Sequence, residues 1–227
     1  MVELHIVSTP IGNLHDITLR ALEVLKRVDL ILCEDTRMTK KLLNHYNIKT
    51  PTLSYHQHSR LKKVNYILEL LKKGKNLALV SDAGTPGISD PGGKLIEKVI
   101  ELLSDKVKII SIPGPSAVTV AASVSGLPIN KFLFLGFPPT KRKRKKFFRE
   151  IIESKYPVIF YESPYRILRT LNELQLAIRD KRQETSIVVC RELTKKFETV
   201  YRGTIEEVIK KIEKNKVKGE FVVVVGK

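Results

Sequence analysis

The sequence contains no tryptophan, two methionines and only two cysteines in 227 residues. Cys33 and Cys190 lie far apart in apolar segments, which fits reduced thiols in a core better than a disulfide framework or a zinc site. Long apolar runs are also missing, since none approaches the roughly 20 residues needed to span a bilayer. The opening stretch Met1–Ser8 has neither a basic leader nor a small-residue cleavage site, so no targeting signal is expected and the chain is expected to stay in the cytoplasm. Acid is scarce: 24 Asp and Glu face 41 Lys and Arg, a net charge of +17. Such an excess is the footprint of a protein that meets polyanions, either nucleic acid or a membrane surface. A surface rich in lysine for no local reason is the plain alternative. What is present, 42% hydrophobic and 29% charged residues, excludes wholesale disorder and describes a globular chain.

This length suits two small cores, since one domain takes roughly 100 to 200 residues. In the first half the periodicity predicts short strands at Glu3–Ser8, Leu30–Cys33, Thr52–Tyr55, Leu77–Ser81 and Lys108–Ile112. Amphipathic helices are expected between them at Thr18–Arg27, Met38–Tyr46, Arg60–Lys72 and Gly93–Leu103. That alternation predicts a mostly parallel sheet covered by helices. Pro113-Gly114-Pro115 interrupts it, because proline cannot donate to a strand ladder, and the lobe boundary is expected there, as 1–114 and 115–227. The second half predicts strands at Phe132–Gly136, Val158–Tyr161, Ser186–Arg191, Glu198–Tyr201 and Glu220–Val225, and helices at Arg144–Glu153, Tyr165–Ile178 and Ile205–Lys214. Successive strands without helices between them imply a mixed sheet. Ser163-Pro164 has the form of an N-cap followed by proline at the first helical position, and Thr204 with Glu207 that of a capping box.

Three loops follow predicted strands and carry most of the chemistry. Ser8-Thr9-Pro10-Ile11-Gly12-Asn13-Leu14 has a single glycine, so it cannot approach a pyrophosphate as a dinucleotide fingerprint does, and no nucleoside-triphosphate loop exists. Ser81 to Gly93 holds four glycines, two prolines and two aspartates. Small residues let main-chain groups approach a ligand, and Asp82 at a strand end can accept bonds from ribose hydroxyls or an ammonium group. Ile112 to Ala117 repeats the pattern, and two such loops at neighbouring strand ends suggest one site between the lobes, two unrelated turns being the plain alternative. Glu34-Asp35-Thr36-Arg37 leaves three readings open: ribose binding, a base with its orienting partner, or a helix cap. Tyr161-Glu162-Ser163-Pro164-Tyr165-Arg166 adds another carboxylate and arginine. Residues 141–149 contain seven Lys or Arg in nine, with Phe147 and Phe148 among them. Each cation could neutralise a phosphate and an exposed phenylalanine could stack on a base; a solvated helix face with both rings packed inward is the other reading. His56 and His58 lack a third ligand at suitable spacing, so no metal site is expected.

Taken together, Ser8–Asn13 with Leu14–Thr18, Cys33–Arg37, Ser81–Gly92, Pro113–Ala117, Phe134–Phe137 and Phe160–Arg166 closely resemble the ribosomal RNA small subunit methyltransferase I family. The resemblance implies the two-lobed α/β tetrapyrrole-methylase (class III) fold, with a mostly parallel N-terminal and a mixed C-terminal sheet. It further implies a homodimer and S-adenosylmethionine (SAM) in the cleft between the lobes. The implied reaction is methylation of the ribose 2′-oxygen of a cytidine, position 1402, in 16S rRNA of the small ribosomal subunit. By the pattern of the wider fold, Pro10, Asp82, Thr85, Ser116 and Ala117 look like SAM contacts, joined by Gly84, Ile88 and Tyr161. The Thr-Pro-Ile-Gly-Asn form of the first loop resembles the RNA branch and argues against a porphyrinoid substrate. Many members continue past the methylase core with a small C-terminal extension. This sequence stops at Gly226-Lys227, so rRNA contacts from such an extension are expected to be absent.

The expected chemistry is in-line displacement, in which the protein positions the ribose and removes the hydroxyl proton. Glu34, Asp35 and Glu162 are the candidate bases, and Arg37 and Arg166 can hold adjoining phosphates or orient a carboxylate. Lys141, Arg142, Lys143, Arg144, Lys145, Lys146, Arg149 and Arg166 are the candidate rRNA contacts. Two other readings keep the fold: a SAM-dependent tetrapyrrole methylase, which leaves the charge unexplained, and a non-catalytic RNA-binding factor, against which the intact loops speak.

Overall fold

The computed structural model describes residues 1–56, 61–90, 92–179, 185–215 and 217–226. His58, Arg60 and Pro91, which figure in the sequence reading, lie outside them. Two units are formed, Met1–Ser116 and Ala117–Lys227.

The first unit runs β1 (Val2–Val7), α1 (Leu19–Arg27), β2 (Leu30–Cys33), α2 (Thr36–His45), β3 (Thr52–Ser54), α3 (Leu61–Lys72), β4 (Leu77–Leu79), α4 (Gly92–Leu103) and β5 (Val107–Ile112). Its sheet has the order β3-β2-β4-β1-β5, and every pairing is parallel. Near-continuous apolar strands such as Leu30-Ile31-Leu32-Cys33 suit a sheet covered on both faces. Residues of opposite parity feed two cores: Val7, Ile31, Cys33 and Val80 pack with α1 and α2, and Leu4, Ile6, Leu32 and Leu79 pack with α3 and α4. Full burial of each such side chain stabilises the fold by about 1.5–3 kcal/mol. Helix α1 starts where Thr18 Oγ1 accepts the Ala21 N–H at 3.1 Å, which satisfies one of the orphan donors of a helix start.

This winding positions a site. From β1 the chain passes to β2 on one face, and from the adjacent β4 it passes to β5 on the other. The crossovers after these neighbours therefore leave to opposite faces of the sheet, and the carboxyl ends of parallel strands at such a switch in winding are where such sheets bind ligands.

The second unit contains α5 (Ala117–Ser125), β6 (Leu133–Phe134), α6 (Arg144–Glu153), β7 (Val158–Glu162), α7 (Ile167–Arg179), β8 (Ile187–Arg191), β9 (Thr199–Gly203), α8 (Ile205–Glu213) and β10 (Phe221–Val225). The sheet order is β6-β7-β10-β8-β9. Only β6 and β7 pair in parallel, and the other neighbours are antiparallel, the mixed sheet expected from consecutive strands. Side chains of α6, α7 and α8 pack on one face around Phe160, Val189 and Val223. The capping box at α8 forms as read, with Thr204 and Glu207 each bonding the other's backbone N–H.

Helix α5 was not expected. Its Ala-Val-Thr-Val-Ala-Ala-Ser-Val-Ser sequence has β-branched residues of modest helix propensity and no polar stripe, so neither periodicity nor propensity announces it. Helix α7 starts at Ile167, later than the Tyr165 expected. Ser163 contributes its carbonyl, which accepts the N–H groups of Arg166 and Ile167, while its hydroxyl takes Arg166 Nε at 3.3 Å. Both cysteines are free and buried. Burial pushes the Cys190 thiol up to about 11 and raises that of Cys33, so both remain protonated and inert near neutrality.

Candidate active site

At the carboxyl edge of the first sheet, the loops after β1, β4 and β5 are tied to one another. Thr9 and Gly84 form an isolated antiparallel bridge, with N–H to O distances of 2.9 and 3.0 Å. Gly84 takes φ +81°, a left-handed conformation that side chains rarely adopt. The site therefore demands glycine. Ser8 Oγ lies 2.8 Å from Thr85 Oγ1, which donates to the Pro115 carbonyl at 3.2 Å. A Cβ at Gly114 would stand 2.9 Å from that of Ser8, so the third loop can close on the first only as glycine. Of the residues the sequence reading gave to SAM, Thr85 spends its hydroxyl on this stitching and Pro10 is buried, whereas Asp82 and Ile88 are exposed and Ser116 and Ala117 half-buried.

The loop after β2 joins the same edge. Asp82 Oδ1 accepts the Asp35 N–H at 3.0 Å, which ties the β2 and β4 loops together. Asp35 caps α2 by accepting the Arg37 N–H at 2.8 Å and also holds the Arg37 guanidinium, 2.7 Å from Nη2 to Oδ2. Bonds from Arg37 depress its carboxyl to about 2. Of the three readings open for this motif, capping thus holds for Asp35, and a carboxylate so stabilised in its charged form is a weak base. Glu34 differs. Partial burial raises its pKa, and the negative charges of Asp82 and Asp90 raise it further. Asp90 was missed by the sequence reading. It accepts the N–H groups of Gly87 and Gly92, a local turn bond that an Asp among glycines invites. Glu34, Asp35, Asp82 and Asp90 make one edge of the first unit acidic in a chain of net charge +17. Exposed backbone, small side chains and carboxylates fit a phosphate-free ligand that carries positive charge and ribose hydroxyls, which is the chemistry of SAM.

In the second unit, Glu162 is buried at the end of β7 with its side chain fully covered. Oε1 accepts the Ser163 N–H at 2.7 Å and pairs with Arg166 Nη2 at 2.9 Å, and Oε2 accepts the Thr170 hydroxyl at 2.6 Å. A carboxylate so enclosed has no face for a substrate proton, and its geometry is that of a positioning group. Arg166 also donates to the Pro138 carbonyl at 3.3 Å. Arg144, grouped by the sequence with the phosphate-binding cations, is buried and donates to Thr170 Oγ1 at 2.7 Å, to the Pro139 carbonyl at 3.1 Å and to Glu173. Phe147 and Phe148 are buried in the core rather than exposed for stacking. Thr170 and Glu173, which organise this network, carried no sequence signal beyond their place on an amphipathic helix. Lys141, Arg142, Lys143, Lys145, Lys146 and Arg149 are exposed. Tyr161 is half-buried and meets Phe134 and Phe137 edge-on at 5.0 and 5.3 Å.

A two-unit α/β chain with a parallel first sheet, a mixed second sheet and a phosphate-free loop edge defines a class, and the comparisons agree. Residues 3–209 match the family Tetrapyrrole (Corrin/Porphyrin) Methylases. The X-ray structure of a cobalamin biosynthetic enzyme, cobalt precorrin-4 methyltransferase, superposes with a TM-score of 0.70 over 99% of this chain and 94% of that one, at 19% identity, which establishes likeness of fold. The sequence is 45% identical to the ribosomal RNA small subunit methyltransferase I of Thermotoga maritima, over 100% of this chain and 99% of that protein. It is 47% identical to its counterpart in Vibrio cholerae, over 98% of this chain and 76% of that protein. The chain belongs to the ribosomal RNA small subunit methyltransferase I family of methyltransferases, within the tetrapyrrole methylases.

Proposed function

We propose that this enzyme transfers a methyl group from SAM to the ribose 2′-oxygen of a cytidine, position 1402, in 16S rRNA of the small ribosomal subunit. The observation that carries the reading is the acidic loop edge built from Glu34, Asp35, Asp82 and Asp90 on a strongly basic chain. It matches a cationic methyl donor and leaves the basic surface for RNA. Pro10, Asp82, Gly84, Thr85, Ile88, Ser116, Ala117 and Tyr161 are the residues assigned to the donor. SAM, when bound, supplies a methyl group already activated by its sulfonium.

The protein's part is to hold the ribose in line and to take its proton. Glu34 is assigned as the base, because Asp35 is held ionised by Arg37 and Glu162 is enclosed. Arg37, largely exposed beside Asp35, is assigned to an adjoining phosphate. The 2′-oxygen forms its bond to the methyl carbon as the carbon–sulfur bond breaks, and the ribose proton passes to the Glu34 carboxylate. The products are the 2′-O-methylcytidine and S-adenosylhomocysteine. The family resemblance adds a homodimer acting in the cytoplasm. Transfer of radiolabelled methyl from SAM tests the reading, with small ribosomal subunits, naked 16S rRNA and a tetrapyrrole precursor offered in parallel. Label on RNA supports it, and label on the tetrapyrrole alone overturns it.

A further inference from the structure

The second unit carries 24 Lys and Arg against 12 Asp and Glu, a net +12 of the chain's +17. Part of that charge converges on an open groove of about 1120 Å³ beside α6 and α7. Lys141, Lys143, Lys145, Arg149 and Arg169 line it from two directions. Among the described residues, no carboxylate pairs with Lys141, Lys143, Lys145 or Arg149. Two carboxylates, Glu153 and Glu173, also line the groove, and Glu173 is already engaged by Arg144 and Arg169. The apolar part of the lining comes from Phe148, Ile152, Leu176 and Ala177, and Leu176 is 63% exposed. Like charges gathered in excess of their counterions oppose folding, and an exposed leucine beside them gains nothing from water. Both make sense together if the groove receives a polyanion with flat apolar faces.

We propose that this groove anchors a single-stranded segment of the rRNA, with the lysines and Arg149 on phosphates and the Leu176 side presented to bases or ribose. It deepens the proposed function and rests on it. Arg144 is not one of the phosphate ligands. It acts as a buried strut: through Thr170 it reaches Glu162, and through Pro139 it holds the chain before α6, so the wall that presents Lys143 and Lys145 is fixed to the end of β7. Arg142 and Lys146 belong to the same basic run and do not line the groove, which provides an internal control of equal charge.

The test compares Lys145→Gln with Arg149→Gln in one variant and Arg142→Gln with Lys146→Gln in another, each losing two exposed cations. Binding of a small-subunit rRNA fragment is measured across a salt series, alongside SAM affinity and methyl transfer. The groove pair is expected to weaken RNA binding about tenfold or more near 0.15 M salt and to flatten the log–log salt slope by about one to two, with less loss in the control pair. SAM affinity stays at the wild-type value in both. Equal losses in the two pairs would reduce the effect to net charge and overturn the groove. Leu176→Glu is expected to weaken RNA binding without altering the sedimentation mass; a changed mass would make the surface a contact between copies and overturn the proposal too. If the wild type neither binds nor methylates small-subunit rRNA, the proposed function fails, and the groove with it. Wild-type methylation with an unaffected groove pair overturns the groove alone.

Discussion

Asp82 accepts the backbone N–H of Asp35 through Oδ1 at 3.0 Å, across 47 residues of sequence. One carboxylate oxygen thus holds the β2 and β4 loops together, while Oδ2 adds charge at an edge suited to a cation. Asp82→Asn separates these roles, because the amide oxygen can still accept from Asp35. We expect SAM affinity to fall about tenfold or more, equivalent to about 1.4 kcal/mol or more, with thermal stability little changed. Calorimetric titration and a melting curve check both.

Glu34→Gln should leave SAM affinity within a few-fold of wild type and lower methyl transfer by about 10²- to 10⁴-fold, the usual worth of a general base. The base acts ionised, and burial with Asp82 and Asp90 raises its pKa. The wild-type rate should therefore fall on acidification at a pH above the ordinary carboxylate range, and the residual activity of the variant should lack that limb. Because the folded pKa is raised above the unfolded one, ionised Glu34 costs stability, and the cost grows as pH rises through the folded value. The glutamine variant should consequently melt higher than wild type at neutral pH.

Asp35 behaves in the opposite sense. Its folded pKa near 2 lies below its ordinary value of 3.8, so its stabilising contribution is complete above the ordinary value and is lost as pH falls toward 2. Asp35→Asn should melt lower than wild type at neutral pH, and the gap should close on acidification through that window. Its methyl-transfer rate should fall much less than that of Glu34→Gln.

Glu162→Ala leaves Arg166 without its buried partner and Thr170 without its acceptor. Denaturant titration should show a loss of about 3–5 kcal/mol, the usual consequence of breaking a buried pair. Glu162→Gln, which keeps the shape and one acceptor oxygen, enough for either Thr170 or the Ser163 N–H and Arg166, should lose less and keep more methyl transfer than Glu34→Gln. A Glu162→Gln rate as low as that of Glu34→Gln in a folded protein would instead assign the proton to Glu162.

Thr204→Ala probes a purely local device. It removes the hydroxyl that accepts the Glu207 N–H in the α8 capping box, which should cost about 1 kcal/mol and leave SAM affinity unchanged.

Much of this arrangement was legible because local rules and fold agree. Leu30–Cys33 and Arg144–Glu153 fall where periodicity puts them, and the Thr204 capping box depends only on residues three positions apart in its own chain segment. The loops at Ser81–Gly92 and Pro113–Ala117 stood out because a left-handed φ or a close approach requires glycine, and Gly84 takes such a φ while Gly114 makes such an approach. What stayed hidden depends on tertiary partners. Arg144 sits among six other cations in sequence yet turns inward, because Thr170, Glu173 and Pro139 offer acceptors that its neighbours in the run do not share. Glu34, Asp35 and Glu162 read alike as carboxylates. Only the Arg37 contact and the enclosure of Glu162 separate them. Helix α5 was hidden because a segment of small and β-branched residues has no periodicity to read.

The most direct test of the account is mass-spectrometric mapping of small-subunit rRNA after incubation with SAM and either wild-type enzyme or Glu34→Gln. Wild type is expected to place a methyl group on the 2′-oxygen of one cytidine, position 1402, and the variant to lose it almost completely despite retained SAM affinity. Methylation on a base, on several unrelated nucleotides, or undiminished in the variant would contradict it.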